Sequence, residues 1–191
     1  MRAMAMRWLI GLATCLLLSA CAASAPPTDA SAAREAFNAE GYELGSGDQV
    51  RLTVFGEADL SGTYAVDGRG RVTLPLIGAV EASGRTAPEL ASDVADALRQ
   101  GYLRDPRVTA EVAAYRPYYI LGEVEKPGEY PYQNGLTVLN AVATAEGFTY
   151  RANERVVFIR RAGENAETRY ALDSDIPVRP GDTLRIGERL F

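Results

Sequence analysis

Gly47-Asp48-Gln49-Val50-Arg51-Leu52 is a glycine–aspartate turn that leads into a stretch of alternating apolar and polar residues. Such alternation predicts a half-buried β-strand with its apolar side chains on one face. The pattern Gly-Asp-x-apolar-Arg-apolar returns at Gly181-Asp182-Thr183-Leu184-Arg185-Ile186. This repeated pattern, which we call the sequence echo, indicates either one turn design used in two domains, or only the general preference of turns for glycine and aspartate. In both cases we expect Asp48 and Asp182 to shape turns, and we assign them no chemistry.

The first of these stretches belongs to a predicted α+β domain that covers residues 42–115. Thr86-Ala87-Pro88-Glu89 has the spacing of a capping box, which predicts a helix from there to about Gly101. A glycine-bearing turn at residues 67–70 predicts that its two flanking strands pair as a hairpin. The strands predicted after the first one lie at 61–66, 71–74, 78–82 and 107–115.

The second stretch closes another predicted domain, which covers residues 116–191. A hairpin over 118–132 is followed by a short amphipathic helix at 138–146 that ends at Gly147. Strands are then predicted at 156–159, 168–172 and 183–186. A hairpin, a helix and further strands in this order resemble a β-grasp, so the predicted fold class is α+β in both domains.

The N-terminal segment has the layout of a bacterial secretory signal, with Arg2 and Arg7 before an apolar run of about eleven residues. This run is shorter than the ~20 residues of a membrane-spanning helix, so we expect residues 1–20 to be removed. Leu18-Ser19-Ala20-Cys21 resembles a lipoprotein lipobox, which predicts cleavage between Ala20 and Cys21 and lipidation of Cys21. The alternative is an ordinary signal peptide with a chance cysteine. Residues 21–41 then read as a flexible, lipidated linker.

Composition excludes several kinds of chemistry in the mature chain. The formal net charge is −5, and it becomes −7 once the two arginines of residues 1–20 are removed, which argues against nucleic acid as a partner. The chain has no histidine, and its two cysteines are Cys15 and Cys21. Histidine bases, thiol nucleophiles and His or Cys metal sites are therefore ruled out. We predict no catalytic residues, no metal and no cofactor.

Aromatic and basic residues gather near the expected domain boundary and beyond it. Tyrosine rings can stack on sugars, yet tyrosines on paired strands also pack against each other. The arginines could contact acidic sugars, pair with acids of a neighbouring subunit, or form a solvated face. The candidate glycan or subunit contacts are Tyr115, Tyr118, Tyr119, Tyr130 and Tyr132, and the arginines are Arg116, Arg151, Arg155, Arg160 and Arg161.

Several segments together resemble the polysaccharide biosynthesis and export family, the outer-membrane exporters of the Wza type. Their order along the chain carries the resemblance, and the last of them resembles the opening of the β-grasp domain called SLBB. These segments are Tyr42-Glu43-Leu44-Gly45-Ser46-Gly47-Asp48, Val54-Phe55-Gly56-Glu57, Val72-Thr73-Leu74-Pro75-Leu76-Ile77-Gly78, Leu103-Arg104-Asp105-Pro106-Arg107-Val108, and Leu121-Gly122-Glu123-Val124 with Pro127-Gly128 and Tyr130.

The resemblance implies a ring of identical subunits, octameric in the best-known members, through which a capsular or exopolysaccharide leaves the cell. It also implies an inner-membrane polysaccharide co-polymerase as partner. With Ala22 after the lipobox cysteine, we expect the protein to be lipid-anchored in the outer membrane and to face the periplasm. The expected function is transport without covalent chemistry.

The sequence departs in one respect from the long form of the family, the Wza-type exporters whose C-terminal amphipathic helix builds the pore through the outer membrane. The sequence ends at Gly187-Glu188-Arg189-Leu190-Phe191, directly after its last predicted strand, where the long form continues into a pore-forming amphipathic helix. We therefore expect a periplasmic collar and a separate outer-membrane pore protein. The alternative function is a membrane-tethered module that binds glycan or scaffolds an envelope complex. A lipoprotein hydrolase would need a carboxylate pair that the sequence does not present.

Overall fold

The structure is a computed structural model that describes residues 41–172 and 176–189. The predicted signal segment, the lipidation site Cys21 and nearly all of the predicted linker lie outside the described residues. The described residues form two regions: the first has a three-stranded sheet, a two-stranded sheet and a helix, and the second has a five-stranded sheet and a helix.

A three-stranded antiparallel sheet forms the centre of the first region. β1 (Gln49–Val54) is flanked by β2 (Gly62–Ala65) and β5 (Val108–Ala114), and a short 3-10 helix (Ala58–Leu60) follows β1. Burial along β1 alternates strictly, with its three apolar residues inside and its polar residues exposed. The half-buried strand predicted from the alternation is confirmed.

The predicted hairpin around residues 67–70 is wrong. β2 pairs with β1, whereas β3 (Arg71–Leu74) pairs with β4 (Gly78–Glu81) in a separate two-stranded sheet. The turn itself forms, because the Asp67 carboxylate accepts hydrogen bonds from the backbone N–H groups of Arg69 and Arg71 at 2.8 and 2.9 Å. It redirects the chain from one sheet to the other, and so its flanking strands bond to other partners.

Helix α1 (Ala87–Arg99) covers the first sheet region, as the sequence predicts. The Glu89 carboxylate accepts hydrogen bonds from the backbone N–H and the hydroxyl of Thr86, at 2.8 and 3.0 Å. This contact satisfies a donor that the helix itself leaves without a partner. One face of α1 buries Leu90, Val94 and Leu98 in the core of this region, and the helix lies against β5 and β4.

The second region is a five-stranded mixed sheet packed on helix α2 (Val138–Thr144). Its central strand runs parallel to the first strand of the region and antiparallel to the long strand on its other side. This is the arrangement of a β-grasp, and the α+β fold class is confirmed. The strand order is β7 (Gly128–Tyr130), β6 (Tyr118–Gly122), β10 (Thr183–Glu188), β8 (Ala152–Arg160) and β9 (Thr168–Ala171).

Each region has its own apolar core. Leu52, Leu90 and Leu98 are fully buried in the first, and Ile120, Ile159 and Leu184 are fully buried in the second. Neither helix of the described segments is long and apolar enough to cross a membrane.

Gly122 pairs with Ile186 where β6 runs beside β10, and an alanine there is expected to destabilise the second region. Its φ is +87°, and a Cβ atom would lie 2.0 Å from the backbone oxygen of Ile186. Gly135 is the matched control, because its φ is +79° and a Cβ atom would meet no atom within 4 Å. We expect a loss of about 1 kcal/mol for Gly135→Ala and about 3 kcal/mol or more for Gly122→Ala, measured by urea denaturation. Equal losses would contradict the predicted clash.

Candidate functional site

Asp48 closes the turn that begins the first strand, and its carboxylate is completely buried. Oδ2 accepts hydrogen bonds from the Gly45 backbone N–H at 2.7 Å and from the Tyr42 hydroxyl at 2.6 Å. The Asp48 backbone N–H donates in return to the Gly45 oxygen at 3.1 Å. The aspartate therefore holds the turn from both its side chain and its backbone, which confirms the turn-forming role.

Asp182 repeats this geometry in the second region. Its Oδ2 accepts from the Arg179 backbone N–H at 2.7 Å, and its own N–H donates to the Arg179 oxygen at 3.1 Å. It is also completely buried. The sequence echo thus corresponds to one turn design used twice, the first of the two interpretations given above.

Arg116 joins the two turns to each other. Its backbone N–H donates to Asp48 Oδ1 at 2.7 Å, and its Nη1 lies 3.6 Å from Asp48 Oδ2. Its Nε donates to the Pro180 oxygen at 3.1 Å, in the turn that Asp182 closes. A buried carboxylate of the first region is thereby compensated by a guanidinium that also binds the second region.

Glycines make room for this guanidinium. A Cβ atom on Gly45 would lie 1.5 Å from Arg116 Nη1, and one on Gly181 would lie 2.8 Å from Arg116 Nε. Gly181 also has a φ of +83°, which disfavours other residues. One glycine of each turn, Gly45 in the first and Gly181 in the second, therefore serves the contact between the regions as well as the turn itself.

The second buried carboxylate is compensated within its own region. Arg161 Nη1 lies 2.5 Å from Asp182 Oδ2 and also donates to the Pro177 oxygen at 3.2 Å. Burial raises the pKa of Asp182 above its usual range, and the Arg161 guanidinium and the Arg179 N–H offset this only in part. The sequence reasoning missed both buried ion pairs, although Arg116 and Arg161 were singled out as basic residues.

Most of the predicted tyrosines pack rather than face solvent. Tyr115 lies edge-on to Tyr42 at 4.9 Å and to Tyr132 at 5.3 Å between ring centroids, and Tyr118 stacks on Tyr130 at 5.9 Å. Tyr118 and Tyr132 are buried, and Tyr115 and Tyr130 pack against the core of the second region. The packing alternative therefore describes four of the five tyrosines.

Burial also raises the pKa of the Tyr42 hydroxyl, and the hydrogen bond to Asp48 adds to the effect. Tyr42 was not among the predicted contact residues. Its ring extends the tyrosine cluster from the second region into the first.

Tyr119 is the exception, because 39% of it is exposed. It lines a cavity of about 640 Å³ between the two regions, which we call the interdomain cleft. The cleft is lined by Glu43, Leu44, Gly45, Ser46, Gly47, Ser83, Gly84, Arg116, Pro117, Tyr119, Ala162, Gly163 and Gly181.

The other predicted arginines lie on the surface. Arg151 pairs with Glu188 in an exposed ion pair, and Arg160 Nη2 lies 3.5 Å from the Thr183 hydroxyl. Arg155 is exposed at the surface of β8. The structure thus separates the five arginines into two that pair with buried carboxylates and three that face solvent.

Comparison with known proteins identifies the family. Residues 37–113 match the family described as polysaccharide biosynthesis/export protein, and residues 117–170 match the SLBB domain. The two matches follow each other along the chain and together cover more than half of it. The chain belongs to the polysaccharide biosynthesis/export family. Arg116 lies between the two matched segments, at the point where the structure joins its two regions.

Three curated relatives carry export-related names. The chain is 39% identical over 165 residues to the exopolysaccharide production protein ExoF of Rhizobium meliloti (strain 1021), covering 78% of this chain and 37% of that protein. It is 26% identical over 164 residues to the EPS I polysaccharide export outer membrane protein EpsA of Ralstonia solanacearum (80% and 43%). It is 25% identical over 169 residues to the polysialic acid transport protein KpsD of Escherichia coli (83% and 30%). The chain spans less than half the length of each of these relatives.

Replacing Arg116 by methionine is expected to weaken the junction strongly. The change leaves the Asp48 carboxylate buried without its ion-pair partner, which costs about 3 kcal/mol in free energy of unfolding. Arg51→Met is the matched control, because Arg51 pairs with Glu111 at 3.3 Å on the exposed surface. Such exposed pairs contribute about 1 kcal/mol or less. Urea denaturation measures both, and equal effects would contradict the assigned role of Arg116.

The raised pKa of Asp182 gives a pH dependence of known sign. A carboxyl group whose pKa is higher in the folded state binds its proton more tightly there, so its ionisation destabilises the fold. As pH falls from about 7 towards the usual aspartate value of about 4, the wild type should gain stability relative to Asp182→Asn. The measurement is the difference in free energy of unfolding between the two proteins across this range. A wild type that loses stability relative to Asp182→Asn as pH falls would show that the ion pair with Arg161 outweighs burial.

Proposed function

We propose that the protein is the periplasmic part of an outer-membrane channel that exports a capsular polysaccharide or exopolysaccharide. The observation that carries the proposal is the family's export segment followed directly by an SLBB domain, together with relatives named for polysaccharide export, transport or production. In this proposal identical subunits form a ring and the polymer passes through it. Transport proceeds without covalent chemistry, and the protein is not an enzyme.

The junction between the two regions supports a role for each subunit as a rigid part of the channel wall. Only residues 114–116 separate the two matched segments, and Arg116 is bound to both turns. A subunit joined in this way presents its two regions in one fixed orientation. Fixed orientation is what repeated subunits need in order to surround a path of constant width.

The lipobox and the family resemblance support the proposed cellular setting. Cys21 carries the lipid anchor in the outer membrane, and the folded regions face the periplasm. An inner-membrane polysaccharide co-polymerase, the partner that the family resemblance implies, delivers the polymer.

A second candidate function is a tethered module that binds glycan without conducting it. The interdomain cleft favours this candidate, because it combines an exposed tyrosine with a fixed guanidinium. Formation of a ring that conducts polymer separates the two candidates.

Deletion of the gene tests the export function. We expect loss of extracellular polysaccharide, with polymer retained in the periplasm or its synthesis stopped, and restoration by the wild-type gene. The measurement is polysaccharide in the medium and in periplasmic extracts of the same cultures. Unchanged secretion, in a strain without a second copy of such a gene, would contradict export and favour the tethered module.

A further inference from the structure

The interdomain cleft contains a guanidinium whose orientation is already fixed. Arg116 Nε donates to the Pro180 oxygen and Nη1 faces Asp48, so the side chain is held from two sides. Among the described residues no group accepts a hydrogen bond from its remaining nitrogen, Nη2. Arg116 lines the cleft, so Nη2 can donate a hydrogen bond to a ligand there. Because the side chain is already held in place, binding would cost it little conformational entropy.

The charges around the cleft favour a neutral ligand. The positive charge of Arg116 is compensated by the buried Asp48 carboxylate beneath it. Glu43 is the other charged residue of the lining, and it adds a negative charge at the exposed rim. Arg116, the adjoining Asp48 and Glu43 together carry one positive and two negative charges, a net charge of −1. An acidic sugar would be repelled, whereas hydroxyl groups could donate to Glu43 and accept from Arg116.

The remaining lining has the features of a saccharide site. Tyr119 offers an exposed aromatic face, and aromatic rings stack on the apolar faces of sugars while their hydroxyls bond at the edges. Ser46 and Ser83 add hydroxyl groups, and the glycines of the lining let a ligand approach the backbone closely. The cavity of about 640 Å³ lies within the usual range of ligand sites.

We propose that the interdomain cleft binds a neutral, hydroxyl-rich saccharide segment. Tyr119 stacks on a sugar ring, Arg116 Nη2 donates to a ring or hydroxyl oxygen, and Glu43 accepts from hydroxyl groups. The identification of the ligand as part of the exported polymer rests on the export function proposed above. The site itself is defined by the cleft and its charges.

Binding of defined oligosaccharides tests the site on the full mature protein. The probes are neutral tetrasaccharides, one of β-1,4-linked glucose and one of β-linked galactose, and acidic tetramers of galacturonate and of sialate. Backbone amide shifts of Ser46, Gly84 and Gly163 report contact in the cleft. We expect shifts with at least one neutral probe and none with the acidic ones.

Two variants examine the assigned roles. Tyr119→Ala should weaken neutral binding roughly fivefold to tenfold, because the stacking surface is lost. Tyr150→Ala is the matched control, since Tyr150 is 86% exposed and does not line the cleft. Glu43→Gln keeps an acceptor but removes the charge, so it should permit acidic tetramers to bind.

The outcomes separate this inference from the export function. Acidic probes that bind as well as neutral ones, or equal losses for Tyr119→Ala and Tyr150→Ala, would overturn the neutral saccharide site. Failure of all four probes to shift the cleft amides would overturn it as well. In each case restoration of secretion by the wild-type gene would leave the export function standing. Neutral binding in the cleft without any secretion defect on deletion would instead retain the site and reject export.

Discussion

One guanidinium determines how the two regions of this protein are joined. Asp48 is completely buried at the start of the first strand, and a buried carboxylate is tolerated only when its charge is compensated. Arg116 provides the compensating charge and simultaneously binds the Pro180 oxygen in the second region. A planar guanidinium can serve two partners in different directions, which the single ammonium of lysine cannot do in the same way. The contacts of this one side chain therefore stabilise the first turn and fix the orientation of the second region.

The parts of the fold that depend on local patterning could be predicted from the sequence. The alternation in β1, the capping contact of Thr86 with Glu89, and the left-handed glycine that ends α2 involve residues a few positions apart. The β2–β3 hairpin was predicted wrongly because a turn shows where the chain reverses, not which strand becomes the partner. The parallel pairing of β6 with β10 joins residues more than sixty positions apart, and no local pattern indicates it.

The candidate site shows the same limit at the level of side chains. Glycine and aspartate indicated both turns, and the six-residue echo was the signal for their common geometry. Asp48 and Asp182 are buried and paired with Arg116 and Arg161 through contacts between residues 68 and 21 positions apart in the sequence. The tyrosines illustrate the converse, since their number and position suggested ligand contacts. Only in the folded chain does Tyr119 differ from its neighbour Tyr118, because alternation along β6 places one ring outside and the other in the core.

The proposed neutral saccharide site is compatible with the proposed transport because its individual contacts are weak. One stacked ring and a few hydrogen bonds at an open site give a low affinity, so a moving polymer can leave the site as readily as it enters. In the proposed ring of identical subunits the same weak site would recur around the path, so the polymer could remain bound at several sites while it is released from one. A buried, high-affinity pocket would hold the chain at one position. The guanidinium of Arg116 that joins the two regions also forms part of this cleft. Arg116 therefore contributes both to the junction and to the proposed saccharide site.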